Sequence, residues 1–275
     1  MKRILFGAVF VSALVFAASL RTADAADMPI KQPPVPTPWM VCAWCGFYVG
    51  INAGYATTSD NGIINTGVTD TLGNGLGGAL GAGAIPSQVH GDIDGFIGGG
   101  QIGYNWQFFR DMVFGLEADF DAMSTKTTIT SGPNYAFGPA VTSQYDREAD
   151  WVSTLRARFG DAVFNNVAFI YMTAGVAAAE WGLSNAFICP ACAPPSSTEA
   201  STSVSNKITR FGGTIGGGIE WKLFEHVSAK VEYLYVETGK STTTIAYNYP
   251  GGTSTLTNSA RDGLNILHAG LNWHF

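Results

Sequence analysis

The chain has 275 residues with a formal net charge of −6, only 13% charged residues, 34 glycines and a mean hydropathy of +0.14. Charge this sparse falls well below the roughly 25% of an ordinary soluble domain, and the acidic balance excludes a polyanion such as nucleic acid as a partner. High apolarity without long apolar runs implies alternation along the chain.

The N-terminus opens on Met1-Lys2-Arg3, runs apolar from Ile4 to Leu20 and closes on Ala23-Asp24-Ala25. That is the basic, apolar, small-x-small order of a secretory signal peptide, so residues 1–25 are set aside as a leader. Without its three basic residues and one acidic residue the chain keeps 12 basic and 20 acidic side chains, a net charge of −8. After residue 25 no apolar stretch approaches the roughly 20 residues of a spanning helix. Residues 26–43 carry Pro29, Pro33, Pro34, Pro36 and Pro38 and read as an extended periplasmic linker. Residues 44–275 form the remaining domain.

From Trp44 onward eight segments alternate apolar with small or polar positions, as a strand does when one face meets lipid and the other a polar lumen. The first, Phe47 to Ala56, sets Phe47, Val49, Ile51 and Tyr55 against Tyr48, Gly50 and Asn52. The second, Phe96 to Gln107, sets Ile102, Tyr104 and Trp106 against Gln101 and Asn105. The third, Met112 to Ala122, has Phe114, Leu116, Ala118 and Phe120 on one face and Glu117, Asp119 and Asp121 on the other. The fourth, Trp151 to Phe159, turns Thr154, Arg156 and Arg158 inward, and the fifth, Ala168 to Ala178, turns Tyr171 and Thr173 inward. The sixth, Phe211 to Trp221, carries Glu220 on its inner face, and the seventh, Val227 to Tyr235, carries Ser228, Lys230 and Glu232 there. The last, Leu267 to Phe275, presents Leu271, Trp273 and Phe275 outward and His268, Asn272 and His274 inward.

Connections alternate in step with the segments. Residues 57–95, 123–150, 179–210 and 236–263 are long, whereas those near Phe108–Asp111, Gly160–Asn166 and Lys222–His226 are short. Aromatic residues gather at both segment ends, as interfacial girdles do. The expected fold is therefore all-β: an eight-stranded antiparallel transmembrane β-barrel with short periplasmic turns and four long extracellular loops. A soluble sandwich or lipocalin-like barrel also alternates, but it would place charge outside and a dry core within.

Several motifs carry a resemblance. Trp44-Cys45-Gly46-Phe47-Tyr48-Val49-Gly50, Gly98 to Gln107, Thr154-Leu155-Arg156-Ala157-Arg158, Ala229 to Tyr235 and Ala269 to Phe275 together resemble the Omp25/Omp31 (RopB-type) outer-membrane proteins of alphaproteobacteria. The resemblance covers essentially the whole chain after the leader. It implies an OmpA-like, porin-family barrel of the outer membrane with surface and envelope-integrity roles and occasional hemin binding. Cys42, Cys45, Cys189 and Cys192 depart from it.

The inward charges Glu117, Asp119, Asp121, Arg156, Arg158, Glu220, Lys230 and Glu232 form the main polar constellation. They read as a structural plug filling a narrow interior, with a rotameric gate as the sharper alternative. The cysteines form two C-x-x-C pairs, Cys42/Cys45 and Cys189/Cys192; in a cytosolic chain they would suggest a four-thiolate zinc site. The topology sets the pairs a membrane apart, which favours local disulfides in an oxidising envelope and no metal. His90, in the first long connection, is the candidate iron ligand if hemin binds; otherwise no cofactor is expected. No Ser-His-carboxylate spacing or phosphate-binding loop suggests a catalytic residue. The expected partners are outer-membrane lipids and lipopolysaccharide, and the barrel-assembly machinery through Leu271, Trp273 and Phe275, with peptidoglycan or loop ligands unidentified.

Overall fold

The computed structural model describes residues 42–59, 62–70, 76–109, 111–135, 141–189, 200–249 and 252–275. The expected leader, most of the linker, and Cys192 lie outside them. The strands are β1 (Gly46–Thr58), β2 (Gly62–Asp70), β3 (Gln88–His90), β4 (Asp94–Phe108), β5 (Met112–Asn134), β6 (Val141–Val163), β7 (Ala168–Cys189), β8 (Ala200–Lys222), β9 (Val227–Tyr249) and β10 (Gly252–His274). A short helix, α1 (Leu76–Gly81), lies between β2 and β3.

All pairings are antiparallel, in the order β1-β4-β5-β6-β7-β8-β9-β10-β2-β3. A further ladder joins β1 to β10, with Tyr48 opposite His274 and Thr58 opposite Leu264. Among the described residues eight strands thereby close into a ring, and a closed ring leaves no edge of unpaired backbone groups in the hydrocarbon. The upper part of β10, Ser254 to Ala260, pairs instead with β2. Short connections join β4 to β5, β6 to β7 at residues 164–167, and β8 to β9 at residues 223–226.

Strand placement follows the alternation, but strand length does not follow the expectation. β5, β6, β8, β9 and β10 each run 23 residues, against the roughly 9–11 that a tilted strand needs to cross the bilayer. Much of the sequence read as loops therefore continues the ladders beyond the membrane. Lys126-Thr127-Thr128-Ile129-Thr130 and Ser241-Thr242-Thr243-Thr244-Ile245 are rich in β-branched residues that suit a pleated strand. They pair in register with β6 and β10 respectively. The first long connection likewise holds β2, α1 and β3.

A second difference concerns the interior. The lumen is layered and is not polar throughout. At the periplasmic end Trp44, Val113, Ala162, Phe169 and Tyr171 pack together. The charged layer follows. Above it an apolar cluster forms from inward side chains including Ile97, Val152, Trp181, Leu234, Val236 and Ile266. A smaller one, with Ile63, Val89, Tyr145, Leu183 and Ala260, lies where β2 and β3 attach. Part of the cause is a register shift between Ala149 and Val152. Below it the even positions 152, 154, 156 and 158 of β6 are buried; above it the odd positions 143, 145, 147 and 149 are.

Candidate functional site

The site grows out of strand alternation. On β5, Glu117 and Asp119 lie inward between Leu116, Ala118 and Phe120, which the lipid side of the ladder keeps outward. Glu117 stands directly opposite Arg156 of β6, and Asp119 opposite Thr154. Glu220 of β8 pairs with Lys230 of β9, and Glu232 of β9 with His268 of β10. Cross-strand pairing therefore puts opposite charges, or a charge and its donor, face to face.

The charges converge on Glu117. Arg156 Nη2 donates to Glu117 Oε1 at 2.6 Å, Lys230 Nζ to the same oxygen at 3.0 Å, and Arg158 Nη1 to Oε2 at 2.7 Å. Arg156 also reaches Asp119 Oδ2 at 2.7 Å and Glu232 Oε1 at 2.9 Å, while Arg158 Nη2 lies 2.6 Å from Glu220 Oε2. Lys230 closes the circuit at 3.4 Å from Glu232. All of these side chains are fully buried. An isolated charge in such a place would be very costly, so each is held by several partners. Asp121 is buried on the same face beside Asn52 and makes none of these ion pairs.

Side chains beyond the carboxylates, arginines and lysine complete the layer, and the charge pattern alone did not single them out. The Tyr48 hydroxyl donates to Glu117 Oε2 at 2.7 Å and accepts from Arg158 Nη1 at 2.7 Å. The Arg158 guanidinium lies over the rings of Tyr171, Tyr48 and Phe169, at 4.2 Å, 5.2 Å and 5.2 Å from their centroids, an arrangement in which the ring faces attract the cation. Asn272 Nδ2 donates to Glu220 Oε1 at 2.7 Å, and Ser228 also donates to that oxygen. His268 Nε2 lies 2.8 Å from Glu232, and His274 Nε2 3.3 Å from Glu220. Two glycines make room: a methyl group at Gly103 would overlap the Tyr48 hydroxyl, and one at Gly218 would crowd that of Tyr171.

The remaining candidates scatter. Cys42 and Cys45 are disulfide-bonded at the periplasmic mouth, and Cys189 ends β7 at the opposite pole of the barrel. His90 is exposed on β3, remote from the charged layer. Leu271, Trp273 and Phe275 point outward at the end of the chain.

Outside, the ring is apolar. Phe47, Trp106, Phe159, Trp221, Trp273 and Phe275 are exposed toward the periplasmic end and Tyr55, Phe96, Phe120 and Phe211 toward the other, with Ile51, Ile102, Leu155, Met172, Val176 and Ile215 between. A closed ring with an apolar belt between two aromatic girdles and paired charges within is an integral outer-membrane β-barrel. The chain belongs to the outer membrane protein β-barrel domain family, which matches residues 10–275. It is 32% identical over 246 residues to the 31 kDa outer-membrane immunogenic protein of Brucella melitensis, covering 87% of this chain and 88% of that one. It is 28% identical over 241 residues to the 25 kDa outer-membrane immunogenic protein of Brucella abortus, covering 86% of each. The resemblance drawn from the strand motifs is borne out. Among solved structures the chain is similar to the outer membrane protein OprG from Pseudomonas aeruginosa, at 14% identity and a TM-score of 0.38, over 84% of this chain and 97% of that one.

Proposed function

We propose that this outer-membrane protein is a closed, non-enzymatic anchor that holds a tall strand-built wall at the cell surface and contributes to envelope integrity. The supporting observation is the ion-paired layer around Glu117. Its carboxylates and cations pair with one another with no exposed side-chain surface, which is how a narrow eight-stranded interior is filled, in contrast to a wide aqueous channel. Apolar clusters above and below it add two further barriers to ions. The belt sits among lipids, with lipopolysaccharide facing its upper girdle. Leu271, Trp273 and Phe275 serve as the strand signal read by the barrel-assembly machinery. The Brucella relatives are outer-membrane immunogenic proteins, and the wall outside the membrane is where this chain would be recognised in the same way.

Planar-bilayer recording tests the anchor against a narrow porin or a gate. The anchor predicts no unitary conductance from the folded wild-type chain. Steady ion current from it, abolished by Glu117→Ala with Asp119→Ala, would establish the gate instead.

A further inference from the structure

The periplasmic mouth holds a device that the anchor role does not use. Cys42 and Cys45 are joined in a disulfide that closes a ring of four residues, and Trp44 inside that ring is fully buried. Its indole lies 5.7 Å from Phe169 of β7 and 5.8 Å, edge-on, from His274 of β10, with Lys222 Nζ of β8 at 5.2 Å over its face. One side chain thus bridges three strands across the opening and packs with Val113 of β5 and Ala162 of β6.

Its own segment adds Ala43, packed against the same cluster, Cys42 Sγ at 3.6 Å from Gln107 Oε1, and two hydrogen bonds. The Trp44 amide donates to Gln107 Oε1 at 3.2 Å, and the Gln107 amide donates to Cys45 Sγ at 3.3 Å. Against this, the indole N–H is buried without a hydrogen-bond partner among the described residues, a desolvation cost that works to expel the ring. Cys42 is exposed, so an incoming thiolate can reach its sulfur.

We propose that the Cys42–Cys45 disulfide is a redox-addressable clip that keeps Trp44 seated as a periplasmic cork, and that its reduction by a dithiol protein of the envelope unseats Trp44. A thiolate of the dithiol attacks Cys42 Sγ and the Cys42–Cys45 bond breaks. Cys45 leaves as a thiolate that the Gln107 N–H is already placed to stabilise. The second thiol of the dithiol then attacks the mixed disulfide, releasing Cys42. Two electrons and two protons pass to Cys42 and Cys45, and the dithiol becomes a disulfide. Opening a four-residue ring lowers the seated-to-unseated ratio of Trp44 roughly twentyfold by chain entropy.

The test uses the full chain folded in detergent micelles, with Cys189→Ala and Cys192→Ala so that one pair remains. Amide exchange at Trp44 is compared before and after dithiothreitol, with reduction verified by mass after alkylation of a parallel sample. Exchange at Trp44 is expected to rise roughly twentyfold, while the Phe275 amide, bonded to the Phe47 carbonyl at 3.0 Å, stays unchanged. Cys42→Ser with Cys45→Ser should reproduce the rise without reductant. If that variant fails to fold, the reduction experiment on the folded protein decides alone. An unchanged Trp44 rate with both thiols alkylated overturns the clip.

Discussion

Replacing Glu117 by alanine removes the carboxylate on which three cations converge. Arg156 keeps Asp119 and Glu232, Arg158 keeps Glu220, and Lys230 keeps only Glu232 at the longer distance of 3.4 Å. Breaking a buried pair commonly costs about 3–5 kcal/mol. The surviving partners place Glu117→Ala at the lower end, about 3 kcal/mol. For a urea dependence of about 3 kcal/mol per molar, the unfolding midpoint in lipid vesicles falls by about 1 M, read from the loss of the unboiled, fast-migrating band. A double-mutant cycle with Arg158→Ala should return a coupling of about 2 kcal/mol, because these two side chains share a contact of 2.7 Å. If Glu117→Ala unfolds within about 0.5 kcal/mol of wild type, the charges are not stabilised by one another and the plug argument fails.

Gly103→Val would drive a side chain into the Tyr48 hydroxyl; overpacking of this kind costs about 1–3 kcal/mol, visible as a lowered urea midpoint, and an unchanged midpoint would contradict the close approach. Met172, 68% exposed near the middle of the apolar belt, should cost about 2–4 kcal/mol when replaced by arginine in lipid, and a neutral effect would place that surface outside the hydrocarbon. Asp262 lies above the membrane, where burial pushes its carboxyl up to about 6 despite Ser241, Arg147 and Arg210 nearby. The fold therefore favours its protonated form: that stabilising contribution is complete below about pH 4 and disappears as pH rises through about 6, a difference of about 3 kcal/mol. Amide protection of β9 and β10 above the membrane, corrected for intrinsic rates, should fall between pH 4 and pH 7, and Asp262→Asn should flatten the change. Protection that rises with pH would refute the assignment.

The charged layer was legible because Glu117, Asp119, Arg156, Glu220, Lys230 and Glu232 alternate with side chains that only lipid would accept outside. Tyr48 was not, since an inward aromatic among glycines gives no charge contrast. Its signal is Gly103, which pairs with Tyr48 across β1 and β4 and becomes informative only once the register is known. The strand extensions were missed for a related reason. Above the membrane the outer face meets water, so Thr, Ser and Lys occupy it, and the apolar contrast that marks a spanning strand vanishes while the ladder continues. The upper apolar cluster runs against the rule of a polar interior, and the shift between Ala149 and Val152 exchanges the inward and outward positions without any cue in local composition.

Continuing the ladders past the bilayer has a consequence for whatever approaches the cell. At one height Lys126 neighbours Glu148, Glu148 neighbours Gly182, and Gly182 neighbours Lys207, on four successive strands. Three of these neighbouring side chains carry charge, and Lys207 Nζ lies 2.9 Å from Glu148 Oε1 across the glycine between them. A binder spanning that row would read residues separated by some 80 positions in the chain, within the roughly 15 Å that four adjacent strands occupy. Its target is a discontinuous epitope, present only while the wall stands, and short peptides copied from any single connection would not compete for it.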